Sequence, residues 1–421
     1  MKRVLFVDLA PRPGGSIVSL RLLIQGLDVT AWQPQAVILN AANPAVTQFR
    51  ALDVPGMQVR TVPSRQGLGD VYPDVVQDAR RGRLVSGLKR LPGFTPLWQG
   101  AGLLVRFLRD VLPQAWHLRR LIGRLHPDLV HLNDSIPISR AGIIATSSLG
   151  IPVVCHVRAL DALSWLDRWL SRRVDGFIYI SHAVANQQQT AGATVRLARV
   201  VPNGLDLTAF PLDLDGAAVR SEYGVPATAF VVGSVGRLVP WKGHHVVMRA
   251  FAEFASHCPQ AHLLIVGAPD VTEPGYDDYL LDLAQNLGID KRVTLTGHRA
   301  DVPAVLAALD LLCHAAIEPE PFGRVVIEGM AAQRPVIGSA AGGVLEIIEH
   351  GVSGLLVTSG NSHALAEAMT TVWQNPALAA SLAAAGRQRV ASHFTLDQYL
   401  QGVQAMYEWV MAAARRARGS L

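Results

Sequence analysis

The chain has 421 residues, half of them apolar and 17% charged, with a net charge of +5. At about 100–200 residues per domain this length favours two domains with large cores, and the apolar content excludes a disordered, collagenous or low-complexity protein. Three widely spaced cysteines (Cys155, Cys258, Cys313) and no apolar run near the ~18 residues of a membrane span exclude a disulfide framework, a cysteine zinc site and a spanning helix, and imply a reducing compartment. Val4–Leu9 reads as a first strand, since this run breaks early and holds Asp8, unlike a signal peptide. It ends in the turn Pro11–Gly15, where Gly14 and Gly15 would let backbone approach a ligand and Ser16 would cap the helix Ser16–Leu27. Further strands are predicted at Gln35–Asn40, Gln58–Val62, Leu129–Leu132, Val153–Val157 and Gly176–Ile180.

Val200–Ala218, with Pro202, Asn203, Gly204 and Pro211, reads as a linker. A second series begins near residue 229, with a strand running into a Gly-containing loop and a helix over His245–Phe254. Strands follow at 262–267, 292–297, 311–315 and 335–339, with helix over Gly329–Ala332. Leu378–Arg418 is Ala-rich and helical, broken around Ser392–Thr395. The alternation predicts an α/β protein of two facing Rossmann-like domains around a cleft, with a C-terminal helix crossing back to the first. The expected domains are 1–203 with about 397–421, and 204–396.

Charge is divided along the same line. Residues 1–200 hold 24 Lys and Arg against 12 Asp and no Glu, or +12, whereas residues 201–421 carry −7. The first half is expected to meet an anionic partner.

The most informative segment is 318–343. Glu320 and Glu328 stand eight apart around a Pro-Phe-Gly turn, and Phe322–Gly323 would open a helix with outward N–H groups. Glu328, one turn inside, suits two sugar hydroxyls, and Glu320 would be free for a second hydroxylated group; the plainer reading is a pair of surface carboxylates matching a helix start. Gly236–Gly243 places Arg237 and Lys242 in one strand-to-helix loop, which suits a diphosphate. No acidic Asp-x-Asp pair at a strand end and no P-loop speaks for a metal.

These residues resemble the retaining glycosyltransferases of family 4, with the GT-B fold. The likeness rests on Gly14–Ser16, Ile180–Asn186, Val201–Asp206, Gly236–Gly243, Leu263–Gly267, Leu295–Val302, Glu320–Ala331 and Gly342–Val357. It implies a nucleotide-sugar donor held mainly by the second domain, retained anomeric configuration, and no cofactor or catalytic metal. Arg237 and Lys242 would hold the diphosphate, Glu328 the ribose and Glu320 the transferred sugar, with Phe322, Gly323, Arg324 and Val325 around them and Gly14, Gly15 and Ser16 opposite. Where many relatives carry a His after the Ile-Pro-Val-Val segment, this chain has Arg158, with His156 two residues earlier; either could fill that place, and His131 would lie near them.

Between Arg80 and Arg124 ten Lys and Arg face one acid, Asp110, and Leu104, Phe107, Leu108 and Val111 form an apolar stripe. That suits an interfacial helix on an anionic membrane, or an ordinary helix with a basic face. Nucleic acid is not expected, because no aromatic interleaving accompanies the charge. The expected function is therefore transfer of a sugar to a glycan or lipid-linked acceptor in cell-surface polysaccharide or glycolipid synthesis, in the cytoplasm and peripherally at the membrane. The alternatives are a 2-epimerase of the same fold and a non-catalytic sugar-nucleotide-binding subunit.

Overall fold

The structure, a computed structural model, describes residues 1–10, 14–63 and 107–419, with side chains to residue 416. It divides into two units, Met1–Ile180 with Val184–Val201 and Leu400–Leu421, and Ser181–Ala183 with Pro202–Tyr399. The basic positions Arg80, Arg81, Arg83, Lys89, Arg90 and Arg106, and Leu104, lie outside the described residues.

The first unit is a seven-stranded parallel sheet in the order β3-β2-β1-β4-β5-β6-β7. Its strands are β1 (Lys2–Asp8), β2 (Trp32–Leu39), β3 (Val59–Val62), β4 (Leu129–Asp134), β5 (Val153–Val157), β6 (Gly176–Tyr179) and β7 (Ala198–Val200). Parallel strands covered on both faces must be apolar throughout, and β5 is buried at every residue. Helix α1 (Gly15–Gly26) buries Ile17, Leu20, Leu23 and Ile24. The helix begins one residue before the expected Ser16 cap. Extended Gly14 takes the cap position, no side-chain cap is formed, and Ser16 sits in the first turn. The strand order reverses between β1 and β4, which is where open α/β sheets hold ligands at their carboxyl ends.

After α2 (Pro44–Arg50), the helices α3 (Leu112–Leu125), α4 (Ile136–Thr146) and α5 (Trp165–Ser171) follow β3, β4 and β5 in turn. Each of the three connections steps the same way along the sheet, so right-handed crossovers place these helices on one face. Accordingly α4 packs against both α3 and α5. The residues before α3 form a π-helical turn, Phe107–Val111, in which Asp110 is buried and paired with Arg109 at 2.9 Å. The sixth helix, α6 (His182–Thr190), precedes β7.

The second unit is a six-stranded parallel sheet in the order β10-β9-β8-β11-β12-β13. Here α7 (Ala217–Glu222) leads to β8 (Phe230–Val235), α8 (His244–His257), β9 (Ala261–Val266), α9 (Tyr276–Asn286), β10 (Val293–Gly297), α10 (Val302–Ala307) and β11 (Leu311–His314). Then come α11 (Arg324–Ala331), β12 (Val336–Ser339), α12 (Val344–Ile347), β13 (Leu355–Val357), α13 (Ser362–Gln374), α14 (Pro376–His393) and α15 (Leu396–Gly419). The core gathers Phe251, Phe254, Leu263, Ile265, Leu311 and Ile337. The helix expected over Gly329–Ala332 begins earlier, at Arg324, because Gly323 at φ 103° makes the turn that frees its first N–H groups. The expected linker is partly ordered: it holds the end of β7, a short 3₁₀ turn at Leu207–Ala209 and the start of α7.

From Leu400 on, α15 belongs to the first unit, where Val403, Met406, Tyr407 and Val410 are fully buried. Tyr407 meets Trp32 edge-on at 5.3 Å between ring centroids. A side chain on Gly176 in β6 would run into Met406 and Val410, so glycine there lets α15 close on the sheet. No helix among the described residues is long and apolar enough to cross a membrane. Gly176→Ala is expected to lower stability by about 1–3 kcal/mol through overpacking, measured by chemical denaturation, with Met406→Ala in the same chain recovering part of the loss.

Candidate functional site

In the second unit the loop after β8 carries both predicted cations. Gly243, at φ 73°, caps α8, and any side chain there would strike the Ala315 carbonyl, so this loop lies directly against the end of β11. His244 fastens it. Its Nε2 lies 3.0 Å from the Arg237 carbonyl and its Nδ1 2.9 Å from the Ser234 hydroxyl. A carbonyl only accepts, so Nε2 carries the hydrogen and Nδ1 accepts from Ser234. Burial pulls the His244 pKa down to about 4, with Lys242 adding to the effect against the Arg237 hydrogen bond, so the ring is neutral at physiological pH.

Lys242 donates to Glu320 Oε2 at 2.6 Å and lies 4.3 Å from the centre of the Trp241 ring. Glu320 is therefore held through this oxygen by Lys242, a partner the sequence did not signal. His314, at the end of β11, donates from Nε2 to the same oxygen at 3.2 Å. Burial alone would raise the Glu320 pKa, but Lys242 and His314 outweigh it and hold the carboxyl at about 2. Arg237 is more than half exposed and donates to Asp270 Oδ2 at 2.7 Å, while Thr272 holds the other Asp270 oxygen through its amide and hydroxyl. One cation is thus enclosed and one faces solvent.

The Glu320–Gly323 turn is clamped from the β12–α12 connection. Gly343 N–H donates to the Glu320 carbonyl at 2.8 Å, and a side chain on Gly342 (φ +62°) would occupy that carbonyl's place. The Phe322 ring is buried against Phe394, so its side chain anchors the turn and the backbone is what the turn offers a ligand. Glu328 accepts from Arg324 Nε at 2.7 Å; burial raises its pKa against the pull of Arg324. Val325 is half-buried in the first turn of α11.

In the first unit, strand register aligns a second set. Asp8 stands opposite Asn133, and Asn133 opposite His156, across β1, β4 and β5. Asn133 donates to Asp8 at 2.6 Å, Arg158 donates from Nε to Asn133 at 2.7 Å, and Arg158 Nη2 reaches His156 Nδ1 at 3.2 Å. His156 and Arg158 therefore act as one buried unit. His131 takes its place behind them, with Nδ1 2.7 Å from the Tyr407 hydroxyl. Burial, with the Arg158 charge, holds both histidines well below their ordinary pKa. Ser16 hydrogen-bonds to Asp134, the residue after Asn133, whose φ is 91°. Among the described residues, a side chain on Gly14 or Gly15 would meet nothing within 4 Å, so packing against these residues requires neither glycine.

Sequence reasoning found the cations and the two glutamates but missed His314, Asp270, His244 and Asp8 as parts of these constellations. His314 lies in an apolar strand and Asp270 in a loop 33 positions from Arg237. No local spacing signals either contact.

Two doubly wound parallel sheets with carboxyl-end loops of this kind define the GT-B class of fold. Residues 217–389 match the family model described as glycosyl transferases group 1, and residues 73–209 match glycosyltransferase family 4. A D-inositol 3-phosphate glycosyltransferase of Salinispora arenicola is 30% identical over 316 residues, which is 68% of this chain and 70% of that relative. The chain belongs to the group 1 glycosyltransferases of family 4. It spans about half the length of other curated relatives it matches, such as the like-named enzyme of Rhodococcus jostii, 33% identical over 234 residues. Among solved structures, HepE of Anabaena in complex with UDP and glucose aligns with a TM-score of 0.78 and 26% identity, over 97% of this chain and all of that one. A sucrose-phosphate synthase of Thermosynechococcus elongatus, 21% identical with a TM-score of 0.77, shares the fold.

The buried carboxyls of the first unit yield a pH test. Burial, helped by the charges of Asp8 and Asp161, pushes the Asp134 pKa up to about 7, and burial pushes that of Asp8 up to about 6. A raised carboxyl favours the folded state below its unfolded pKa, and that contribution is lost as pH climbs from about 4 to about 7. Asp134→Asn keeps the shape, tolerates positive φ and removes the ionisation. It is expected to raise the melting temperature relative to the parent at pH 8 and to change the difference little at pH 4, measured by thermal unfolding across that range.

Proposed function

We propose that this protein is a retaining, metal-independent glycosyltransferase. It moves a sugar from a nucleotide diphosphate donor to a glycan or lipid-linked acceptor, in the cytoplasm, for a cell-surface polysaccharide or glycolipid. The observation that carries this reading is the pairing of Lys242 with Glu320 beside Arg237, where two cations are held ready in one loop. HepE, solved with UDP-glucose, supports a uridine diphosphate sugar as the first donor to try.

On this reading the donor diphosphate replaces Asp270 at Arg237 and shares Lys242 with Glu320. When the anomeric carbon–oxygen bond breaks, the electron pair leaves with the nucleoside diphosphate, the acceptor hydroxyl oxygen bonds to that carbon and its proton passes to the departing phosphate, and negative charge grows where both cations stand. Fixed cations in a partly dehydrated site stabilise that charge more than the ground state. Glu320, ionised down to about pH 2, can accept from sugar hydroxyls throughout the working range. Glu328, in the first turns of α11, would take the ribose hydroxyls. Among the described residues nothing crowds Gly14 and Gly15 at the start of α1, which would let a phosphate oxygen approach the amides.

Lys242→Ala or Glu320→Ala is expected to lower kcat/KM for sugar transfer by about 10²–10³, with the anomeric configuration of the product checked by NMR and the rate unchanged by EDTA. Undiminished transfer by either variant would defeat the mechanism. Gly15→Ala is expected to leave the melting temperature unchanged or slightly higher, since alanine favours a helix by up to about 1 kcal/mol, while raising KM for the donor; an unchanged KM would remove the phosphate from α1.

A further inference from the structure

The same face of the first sheet that carries α3, α4 and α5 presents two stripes of one composition. On α5 and the turn after it, the exposed positions are Trp165, Arg168, Trp169, Arg172 and Arg173, at the i, i+3, i+4, i+7, i+8 spacing of a single helical face. Trp165 is 66% exposed and Trp169 44%. On α3 the exposed positions include Leu112, Trp116, Arg119, Arg120 and Arg124, continued by exposed Leu108 in the preceding turn.

Neither stripe shows an acid to solvent. Asp167, the one acid of Trp165–Arg173, is fully buried, gripped by Arg140 at 2.7 and 2.8 Å and used to cap its own helix. Asp110 is likewise buried against Arg109. The fold has turned its acids inward here and its tryptophans outward, against the usual preference for burying such rings. Two of the rings carry an arginine over them: Arg120 lies 3.6 Å from the centre of Trp116, and Arg173 4.2 Å from that of Trp169.

Indole rings with apolar bodies and polar edges, arginines beside them, and no exposed acid among the described residues of the two stripes match the boundary between acyl chains and anionic headgroups. Exposed Leu108 and Leu112 extend the apolar part, which a phosphodiester backbone would not reward. We propose that this face, Trp116 on α3 with Trp165 and Trp169 on α5, docks the protein on an anionic lipid bilayer, with the arginines on headgroup phosphates. The surface goes beyond the basic segment singled out in the sequence by adding a second helix, and it stands independently of the donor chemistry.

The test is sedimentation of the full chain with vesicles of pure phosphatidylcholine and of equal parts phosphatidylcholine and phosphatidylglycerol. Binding is expected to the anionic vesicles only. At about 1 kcal/mol, or fivefold, per basic residue near the surface, Arg172→Gln with Arg173→Gln should weaken partition about 25-fold, and Trp165→Ser with Trp169→Ser at least as much, both with an unchanged melting temperature. Should a variant fail to fold, vesicles with brominated acyl chains provide a readout on the parent chain, whose tryptophan fluorescence they should quench. Equal recovery with both vesicles, no quenching, or full binding by folded variants would overturn the proposal. So would tight binding of single-stranded DNA that the same substitutions abolish.

Discussion

The second unit is organised around one carboxylate. Glu320 is taken almost wholly out of water, and an ion so placed persists only if a partner and hydrogen bonds replace its hydration. Lys242 supplies the charge and His314 the second donor to the same oxygen. To bring them there, the loop of Lys242 must touch the end of β11, which Gly243 permits, and the turn of Glu320 must lie under the β12–α12 connection, which Gly342 and Gly343 permit. Replacing either partner alone would strand a buried charge, so the loop, the strand end and the turn are coupled through this pair.

The first unit handles buried polarity differently. Its carboxyl-end cluster has one arginine against several acids, and the charge is passed along a chain from Asp8 through Asn133 to Arg158 and His156. Neutral Asn133 stands between Asp8 and Arg158, and burial raises the pKa of Asp8 and of Asp134. Such a set holds a fixed shape without concentrating charge. Arg158 is locked on two sides, which makes it a rigid donor rather than a mobile side chain.

Bulk charge and site charge point in opposite directions here. The second half of the chain is net negative, yet its loop after β8 presents Arg237 and Lys242 together. Acids beyond about 8–10 Å are screened by solvent and salt, so the local field is set by these two cations together with the acids paired to them, Asp270 at 2.7 Å and Glu320 at 2.6 Å. Among the described residues of the first half, arginines on the surfaces of α3 and α5 are accompanied by Trp116, Trp165 and Trp169. Local placement decides what each region can bind.

Much of this was legible before any coordinates. Buried parallel strands are continuous apolar runs, so most strands fall within a residue or two of expectation, and the interrupted C-terminal helix breaks where it should, between Pro376–His393 and Leu396–Gly419. The three-residue edge strands β7 and β13 were not legible, because neither is fully buried and neither needs an apolar run. Ser16 looked like a cap because its residue type caps helices well, but extended Gly14 had already started the turn. The sequence by itself determined the residue types of the donor loop and of the Glu320–Glu328 turn, since local spacing places them on one loop and one helix start. Only the tertiary structure decided their partners. Lys242 meets Glu320 across 78 positions and Asn133 meets Asp8 across 125, contacts made by sheet order and register, which no local pattern encodes.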